Sequence, residues 1–170
     1  MGEDVKWFEQ NNKGRLDIQA SFSFEDAGKD DEMDIEQVYK FMNGEELGVL
    51  ATVAGDGTPQ AALVGIATTK ELELVFDTVK SSRKYPNMKK NPRVAFVIGC
   101  TPEITVQYEG IAEELAGEAL AKYKKIYFAK FTDGPARESW AGISYFVVRP
   151  KWMRYCDYNE ESRRIEEIRF

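Results

Sequence analysis

The sequence of 170 residues contains no histidine, and this absence excludes several classes of reaction. A Ser-His-Asp or Cys-His hydrolase, a zinc site of the HExxH type and a haem iron with a histidine ligand all require an imidazole. Any acid or base must therefore be Asp, Glu, Lys, Tyr or Cys, or a bound cofactor must carry the reaction. We favour a cofactor, because its chemistry needs no protein acid.

Cysteine, long apolar runs and positive charge are also scarce. Cys100 and Cys156 are the only cysteines and neither lies in a CxxC pair, so we expect two reduced thiols and no zinc site. No segment approaches the roughly 18 apolar residues of a membrane span, and the acidic start at Met1 is unlike a secretory signal. A formal net charge of -6 argues against general nucleic-acid binding. We therefore expect a cytoplasmic protein that binds neither membranes nor nucleic acids.

The length and the 43% hydrophobic content suit one hydrophobic core with tails. We divide the chain into an N-terminal extension at residues 1–33, a folded domain at 34–158 and a charged C-terminal tail at 159–170. The extension mixes charges with scattered aromatic residues and shows no sustained period. Those aromatic residues either pack on the domain or a partner subunit, or belong to a partly ordered tail.

Hydrophobic periodicity in the folded domain predicts short strands joined by turns, with a few inserted helices. Asp34 with Gln37 three residues later is typical of a helix start. We expect helices near 34–43, 81–91 and 117–130, and strands at 47–54, 59–67, 72–77, 93–98, 104–115, 143–149 and 152–158. Pro150 and Lys151 should separate the last two strands. This pattern predicts a mainly β domain in which an antiparallel sheet closes or nearly closes into a barrel.

The segment Phe76-Asp-Thr-Val-Lys-Ser-Ser-Arg-Lys is the strongest local signal for ligand binding. It places hydroxyl groups, two adjacent cations and the free amides of a helix start where a strand ends. Each of these groups favours a dianionic phosphate. On this pattern alone, a solvated basic helix start is an equally good interpretation.

The order of motifs along the chain resembles the pyridoxamine-phosphate-oxidase-like family of FMN-binding split barrels, in its general-stress-protein and flavin-reductase-like branch. The resemblance covers roughly residues 34–157 and implies a split β-barrel with FMN held at a homodimer interface. The matching motifs are Leu50-Ala-Thr-Val, Gly57-Thr-Pro-Gln, Phe76-Asp-Thr, Ser82-Arg-Lys, Asn91-Pro-Arg-Val-Ala-Phe and Val106-Gln-Tyr-Glu-Gly-Ile-Ala.

The resemblance also implies a role for individual residues. The FMN phosphate would be bound by Ser82, Arg83 and Lys84, the ribityl chain would lie beside Phe76, Asp77 and Thr78, and the isoalloxazine ring would border the backbone of Ala62, Leu63 and Val64. Gln107 and Trp140 would contact the ring from the partner subunit. For Trp140, closing the hydrophobic core is an equally good role.

The activity implied by the resemblance is that of an FMN-dependent oxidoreductase that takes hydride from NADH, NADPH or another small reductant. The pyridoxal-phosphate-forming oxidases themselves carry an Arg-Leu-His segment near their end, where this chain has Arg154-Tyr-Cys. We therefore do not expect pyridoxal phosphate synthesis. Two alternatives stay open: a protein that binds flavin or another phosphate ligand without turnover, as a sensor or store, and a deazaflavin in place of FMN.

Overall fold

The computed structural model of the protein describes residues 33–99, 103–159 and 163–170. The expected N-terminal extension, apart from its last residue, and Cys100 lie outside these residues. Within the described ranges, no helix is long and apolar enough to cross a membrane.

Strands dominate the described chain, and most of the connections between them are short. The elements in chain order are α1 (Ile35–Gly44), β1 (Leu47–Val53), β2 (Pro59–Gly65), β3 (Ala67–Thr68), β4 (Leu74–Val79), α2 (Lys84–Lys90), β5 (Arg93–Ile98), β6 (Ile104–Glu114), α3 (Gly117–Lys130), α4 (Gly134–Arg137), β7 (Ile143–Asp157) and β8 (Arg164–Arg169).

The strands form one antiparallel sheet that curls on itself. Its order is β2-β1-β5-β6-β7-β4-β3, with β8 beside the second half of β7. β2 and β3 lie at opposite ends of this order, yet only Ile66 separates them in sequence. The run 59–68 therefore pairs with β1 at one end and with β4 at the other. The predicted fold, a mainly β antiparallel split barrel with short helices, is confirmed.

The first three helices lie close to the ranges that the sequence predicts. The Asp34 carboxylate accepts a hydrogen bond from the Gln37 N–H at 3.1 Å and caps α1, as the sequence predicts. α3 has the predicted bounds. The expected loop between α3 and β7 contains the additional short helix α4.

The two strands expected on either side of Pro150 are one continuous strand, β7. Pro150 pairs with Gly110 and Trp152 pairs with Glu109, so Lys151 is an extra residue in a β-bulge. A proline is tolerated at a bulge because no ladder hydrogen bond needs its missing N–H. A Cβ on Gly110 would lie 2.5 Å from the Arg149 carbonyl oxygen, so the bulge also requires glycine on the neighbouring strand.

The segment 159–170, set apart in the sequence as a charged tail, contains strand β8. β8 pairs with the second half of β7, and Ile168 packs against the barrel core. Charged residues fill most of the exposed positions of this strand, which is why its alternating pattern was hard to recognise.

Two apolar clusters stabilise the domain, one inside the barrel and one between the sheet and α3. β4 contributes to both, because successive residues of a strand point to opposite faces. Phe76 points into the barrel and stacks on Phe146 with ring centroids 5.6 Å apart. Val75 faces the other way, in the cluster with Tyr127 of α3.

Candidate functional site

Ser82, Arg83 and Lys84, the first residue of α2, lie where the chain passes from the end of β4 into α2, and we call these three residues the basic turn. The hydroxyl groups of Thr78 and Ser82 hydrogen bond to each other at 2.8 Å. The Ser82 N–H donates to the Val79 carbonyl at 2.9 Å, and the Tyr85 N–H donates to the Ser82 carbonyl at 3.1 Å. The turn is therefore held by its own hydrogen bonds and by the end of β4.

Arg83 and Lys84 line a cavity of about 240 Å³ together with residues of β1 and β2. The other lining residues are Thr52, Gln60, Ala61 and Ala62. The structure thus brings two separately predicted parts of the site, the basic turn and Ala62 of β2, to one cavity.

A buried amide supports this cavity from behind. The Nδ2 group of Asn87, on α2, donates to the Thr52 hydroxyl at 3.1 Å and to the Gln60 side-chain oxygen at 2.9 Å. These bonds fix the β1–β2 hairpin against α2, so they also fix the position of the cavity walls. Sequence reasoning gave none of these three residues a role in the site, although Thr52 and Gln60 belong to the quoted motifs, because the residues come together only through the packing of α2 on the hairpin.

Arg83 and Lys84, the two cations at the cavity, form no ion pair with a carboxylate among the described residues. The nearby lysines Lys80 and Lys89 do form ion pairs, both with Glu114. Asp56, in the β1–β2 turn, interacts weakly with Arg83. The pKa of Asp56 lies below its ordinary value mainly because the Thr58 N–H donates to its carboxylate, with a smaller contribution from Arg83. A cavity with two unpaired cations and uncharged walls fits an anionic group.

The side chains of Phe76, Asp77 and Thr78, near the end of β4, do not all point to the same face of the sheet. Phe76 is fully buried in the barrel, so only its backbone could contact a ligand. Thr78 is bonded to Ser82 and lies next to the basic turn. Asp77, between them, points to the opposite face of the sheet, where its carboxylate lies 3.0 Å from the Arg137 guanidinium.

The ion pair of Asp77 and Arg137 is largely buried. The side chains are 12% and 16% exposed, and the guanidinium carbon lies 5.5 Å from the Tyr127 ring centroid and 5.6 Å from that of Phe131. The Asp77 carboxylate and the Arg137 guanidinium are close enough to form an ion pair, but their orientation does not give a hydrogen bond. Burial raises the pKa of the Asp77 carboxyl, and Arg137 opposes this shift. Asp77 therefore connects β4 to α4 and faces away from the cavity.

Gln107 lies far from the cavity within one chain. It is exposed on β6 and pairs with Val97 of β5. Val97 pairs with Val49 of β1, which in turn pairs with Leu63 of β2, so these four residues form one row across the sheet. Three strand spacings separate it from Leu63, a distance of about 14 Å at about 4.8 Å per strand. The structure thus does not bring Gln107 to β2 of the same chain.

The row from Leu63 to Val97 belongs to an exposed apolar surface, which we call the outer apolar face. It consists of Leu47, Val49, Val53, Leu63 and Val97 on β1, β2 and β5. Leu63 is 63% exposed and Val97 is 43% exposed, whereas Val64, next to Leu63, points into the barrel and is buried. Gln107 lies at the border of this face.

Trp140 is 54% exposed, so it does not close the hydrophobic core. Its loop lies beside the basic turn, because the Lys80 N–H donates to the Gly142 carbonyl at 2.8 Å. The indole is therefore available at the same end of the barrel as Ser82.

Comparison with known families gives a match that covers most of the domain. The family model described as pyridoxamine 5'-phosphate oxidase matches residues 35–157. A pyridoxine/pyridoxamine 5'-phosphate oxidase from Salinibacter ruber is 34% identical over 100 residues, which are 58% of this chain and 45% of that enzyme. The match thus spans less than half the length of this curated relative.

Solved structures show the same fold. A heme binding protein from Mycobacterium smegmatis superposes with a TM-score of 0.69 at 19% identity, covering 79% of this chain and 57% of that protein. General Stress Protein 26 from Bacillus anthracis has a TM-score of 0.63 at 21% identity, covering 80% of this chain and 98% of that protein.

The buried ion pair predicts an asymmetric response to mutation. Asp77→Asn should lower the free energy of unfolding by about 3 kcal/mol, because it removes the buried partner of the Arg137 cation and leaves only the exposed Asp133 carboxylate beside it. The double variant with Arg137→Met should recover part of this loss. Urea unfolding of the two variants measures both effects.

Asp133→Asn is the matched control for this ion pair. Asp133 also lies 3.2 Å from Arg137 but is 72% exposed, so its loss should cost less than about 1 kcal/mol. Equal effects of the Asp77 and Asp133 variants would contradict the importance of burial.

Proposed function

The chain belongs to the pyridoxamine 5'-phosphate oxidase family, and from this membership we propose that it is an FMN-binding oxidoreductase that works as a homodimer. The observation that carries the proposal is the cavity in which Arg83 and Lys84 meet β2 without any carboxylate partner among the described residues. A phosphate monoester is the ligand that best suits two unpaired cations beside a helix start.

The residues around the basic turn fit the phosphate of FMN. Arg83 and Lys84 supply charge-assisted hydrogen bonds, and the Ser82 hydroxyl, held by Thr78, supplies a further donor. Asn87 keeps the walls of the cavity in place through Thr52 and Gln60. These residues bind and orient the cofactor, and none of them needs to transfer a proton.

In this proposal, residues of two copies of the chain contact the isoalloxazine ring of the cofactor. Ala62, Leu63 and Val64 would border it from one subunit. Gln107 is three strands away from Leu63 in the same chain, so we assign it to the flavin held by the partner subunit. The outer apolar face between them supports this arrangement, because exposed apolar surfaces of this kind commonly mark protein interfaces.

Bound FMN would exchange hydride or electrons between a reductant, such as NADH or NADPH, and an acceptor. The protein groups would hold the ring and tune it by hydrogen bonds, for which the Gln107 side-chain amide is the candidate. Such a scheme needs no imidazole and suits a chain without histidine.

Pyridoxal phosphate synthesis is not part of the proposal. Arg154 stands where the oxidases have the Arg of Arg-Leu-His, but its Nε donates to the Glu167 carboxylate at 2.7 Å. Cys156 stands where they have histidine, and it is buried. The substrate-binding groups of those oxidases are therefore altered or already paired in this chain.

A haem role, as in the name of the Mycobacterium smegmatis protein, has less support. The chain offers no histidine to bind the iron, and no residue of the cavity is a typical iron ligand. Identification of the bound cofactor by absorption spectrum and mass spectrometry distinguishes FMN, deazaflavin and haem. A purified protein that retains no flavin and does not bind added FMN would end the FMN proposal.

The phosphate role of the basic turn is tested by the double variant Arg83→Ala, Lys84→Ala. Each cation should contribute about 1.5 to 3 kcal/mol, so FMN affinity should fall by about two decades or more. Flavin fluorescence titration measures this change. The double variant Lys122→Ala, Lys125→Ala, on α3, removes the same charge elsewhere and should bind FMN like the wild type. Wild-type affinity in the Arg83, Lys84 variant would remove the proposed anchor.

The dimer is tested at the centre of the outer apolar face. Leu63→Glu should convert the dimer to a monomer and release FMN, because it buries a charge against the partner subunit. Ile165→Glu, on β8, changes a similarly exposed apolar residue (45%) outside this face and should leave the dimer intact. Light scattering gives the masses. A monomeric wild type that binds FMN fully would contradict the interface.

Turnover is tested by anaerobic mixing of the FMN-loaded protein with NADH or NADPH. Bleaching of the flavin absorbance is expected for an oxidoreductase. A flavin that no reductant bleaches would favour the alternative of a binding or sensor protein, in which Trp140 could cover one face of the ring.

A further inference from the structure

Glu114, the last residue of β6, accepts hydrogen bonds from three side chains. Its carboxylate binds the Ser144 hydroxyl at 2.6 Å, the Tyr85 hydroxyl at 3.1 and 3.2 Å, and the Lys89 ammonium at 2.9 Å. The Lys80 ammonium lies 3.9 Å away. The sequence gives no sign of this arrangement, because the donors come from α2 and β7, which are both distant from Glu114 along the chain.

Two of the residues around the Glu114 carboxylate, Lys80 and Tyr85, lie on either side of the basic turn in the sequence. Lys80 precedes Ser82 by two residues, and Tyr85 directly follows Lys84. Glu114 therefore accepts a hydrogen bond from the residue directly after those proposed to bind phosphate, whereas its contact with Lys80, on the other side, is a longer ion pair to an exposed side chain. Ser144, on β7, is paired with Thr78 in the sheet and ties the same carboxylate to the barrel.

Glu114 itself lies outside the phosphate cavity. The cavity of Arg83 and Lys84 is lined by residues of β1 and β2, whereas Glu114 lines a separate groove of about 620 Å³ with Lys80 and Lys89. The side chain is 22% exposed. Burial favours its protonated form, but the bonds from Ser144, Lys89 and Tyr85 outweigh this effect and lower the pKa of the carboxyl. The group is thus a fixed anion whose partners are all protein donors.

We propose that Glu114 is a positioning residue for phosphate binding, because it holds Tyr85 and Lys89 of α2 against Ser144 of β7 and so preorganises Ser82, Arg83 and Lys84. This inference rests on the proposed function of that turn. Preorganised donors bind more tightly, since less ordering is required when the ligand arrives.

A purely electrostatic role and a positioning role of Glu114 predict opposite changes in phosphate affinity when its charge is removed. Removing a nearby anion makes the region more positive, which by Coulomb attraction alone would strengthen phosphate binding. Loss of positioning weakens it. Tyr85→Phe separates the two effects, because it removes one bond to Glu114 without a change of charge and keeps the ring against Phe146.

The experiment compares FMN with riboflavin, which lacks the phosphate. In Glu114→Gln and in Tyr85→Phe, FMN affinity should fall by about tenfold, the effect of one lost hydrogen bond to a charged group. Riboflavin affinity should not change. Glu113→Gln is the control: Glu113 is the neighbouring residue on the opposite face, paired with Arg149, and its loss changes the charge equally.

A second readout does not depend on the ligand. Amide hydrogen exchange at residues 81–85 should be faster in the ligand-free Glu114 and Tyr85 variants than in the wild type or the Glu113 variant. Unchanged exchange would overturn the positioning role, as would unchanged or tighter FMN binding by the Glu114 variant, or an equal loss of FMN and riboflavin. Failure of the wild type to bind FMN would end the proposed function instead, while the exchange rates would still decide the role of Glu114.

Discussion

β4 is buried on both of its faces, and the rest of the domain is arranged around this constraint. Its inward residues, such as Phe76, complete the barrel core, while its outward residues, such as Val75, need the cover that α3 provides. At its C-terminal end this strand leads into the basic turn. The buried pair of Asp77 and Arg137 ties the same strand to α4. The candidate site therefore lies at the end of a strand that is packed on both of its faces.

Features that depend on neighbouring residues in the sequence could be predicted well. The capping of α1 by Asp34, the β1–β2 hairpin and the basic turn each need only a few adjacent side chains. The continuity of β7 could not be predicted, because Pro150 is acceptable only beside the bulge opposite Gly110 of β6. β8 was missed for the same kind of reason, since its strand character comes from pairing with β7.

The candidate site divides in the same way. The basic turn was found because its chemistry is contiguous, and the resemblance to a family added Ala62 and Gln107. The supporting residues Thr52, Asn87 and Glu114 were not found, because each acts across a sequence distance that only the fold closes. The resemblance placed Asp77 beside the ribityl chain together with Phe76 and Thr78, and alternation along the strand turns its carboxylate to the other face, toward Arg137. Adjacent residues in a motif thus need not share a task.

The sharing of the run 59–68 between both ends of the sheet has a consequence for folding. The local hairpins can form early, but the barrel closes only when distant segments meet, as in the pairing of Leu74 with Val148. Closing such long loops lowers the conformational entropy of the chain before the stabilising contacts have formed, and this slows folding. We expect folding on a time scale of about milliseconds to seconds, typical of sheets dominated by distant pairings. Until that closure, the apolar strand edges of newly made chains stay open to one another.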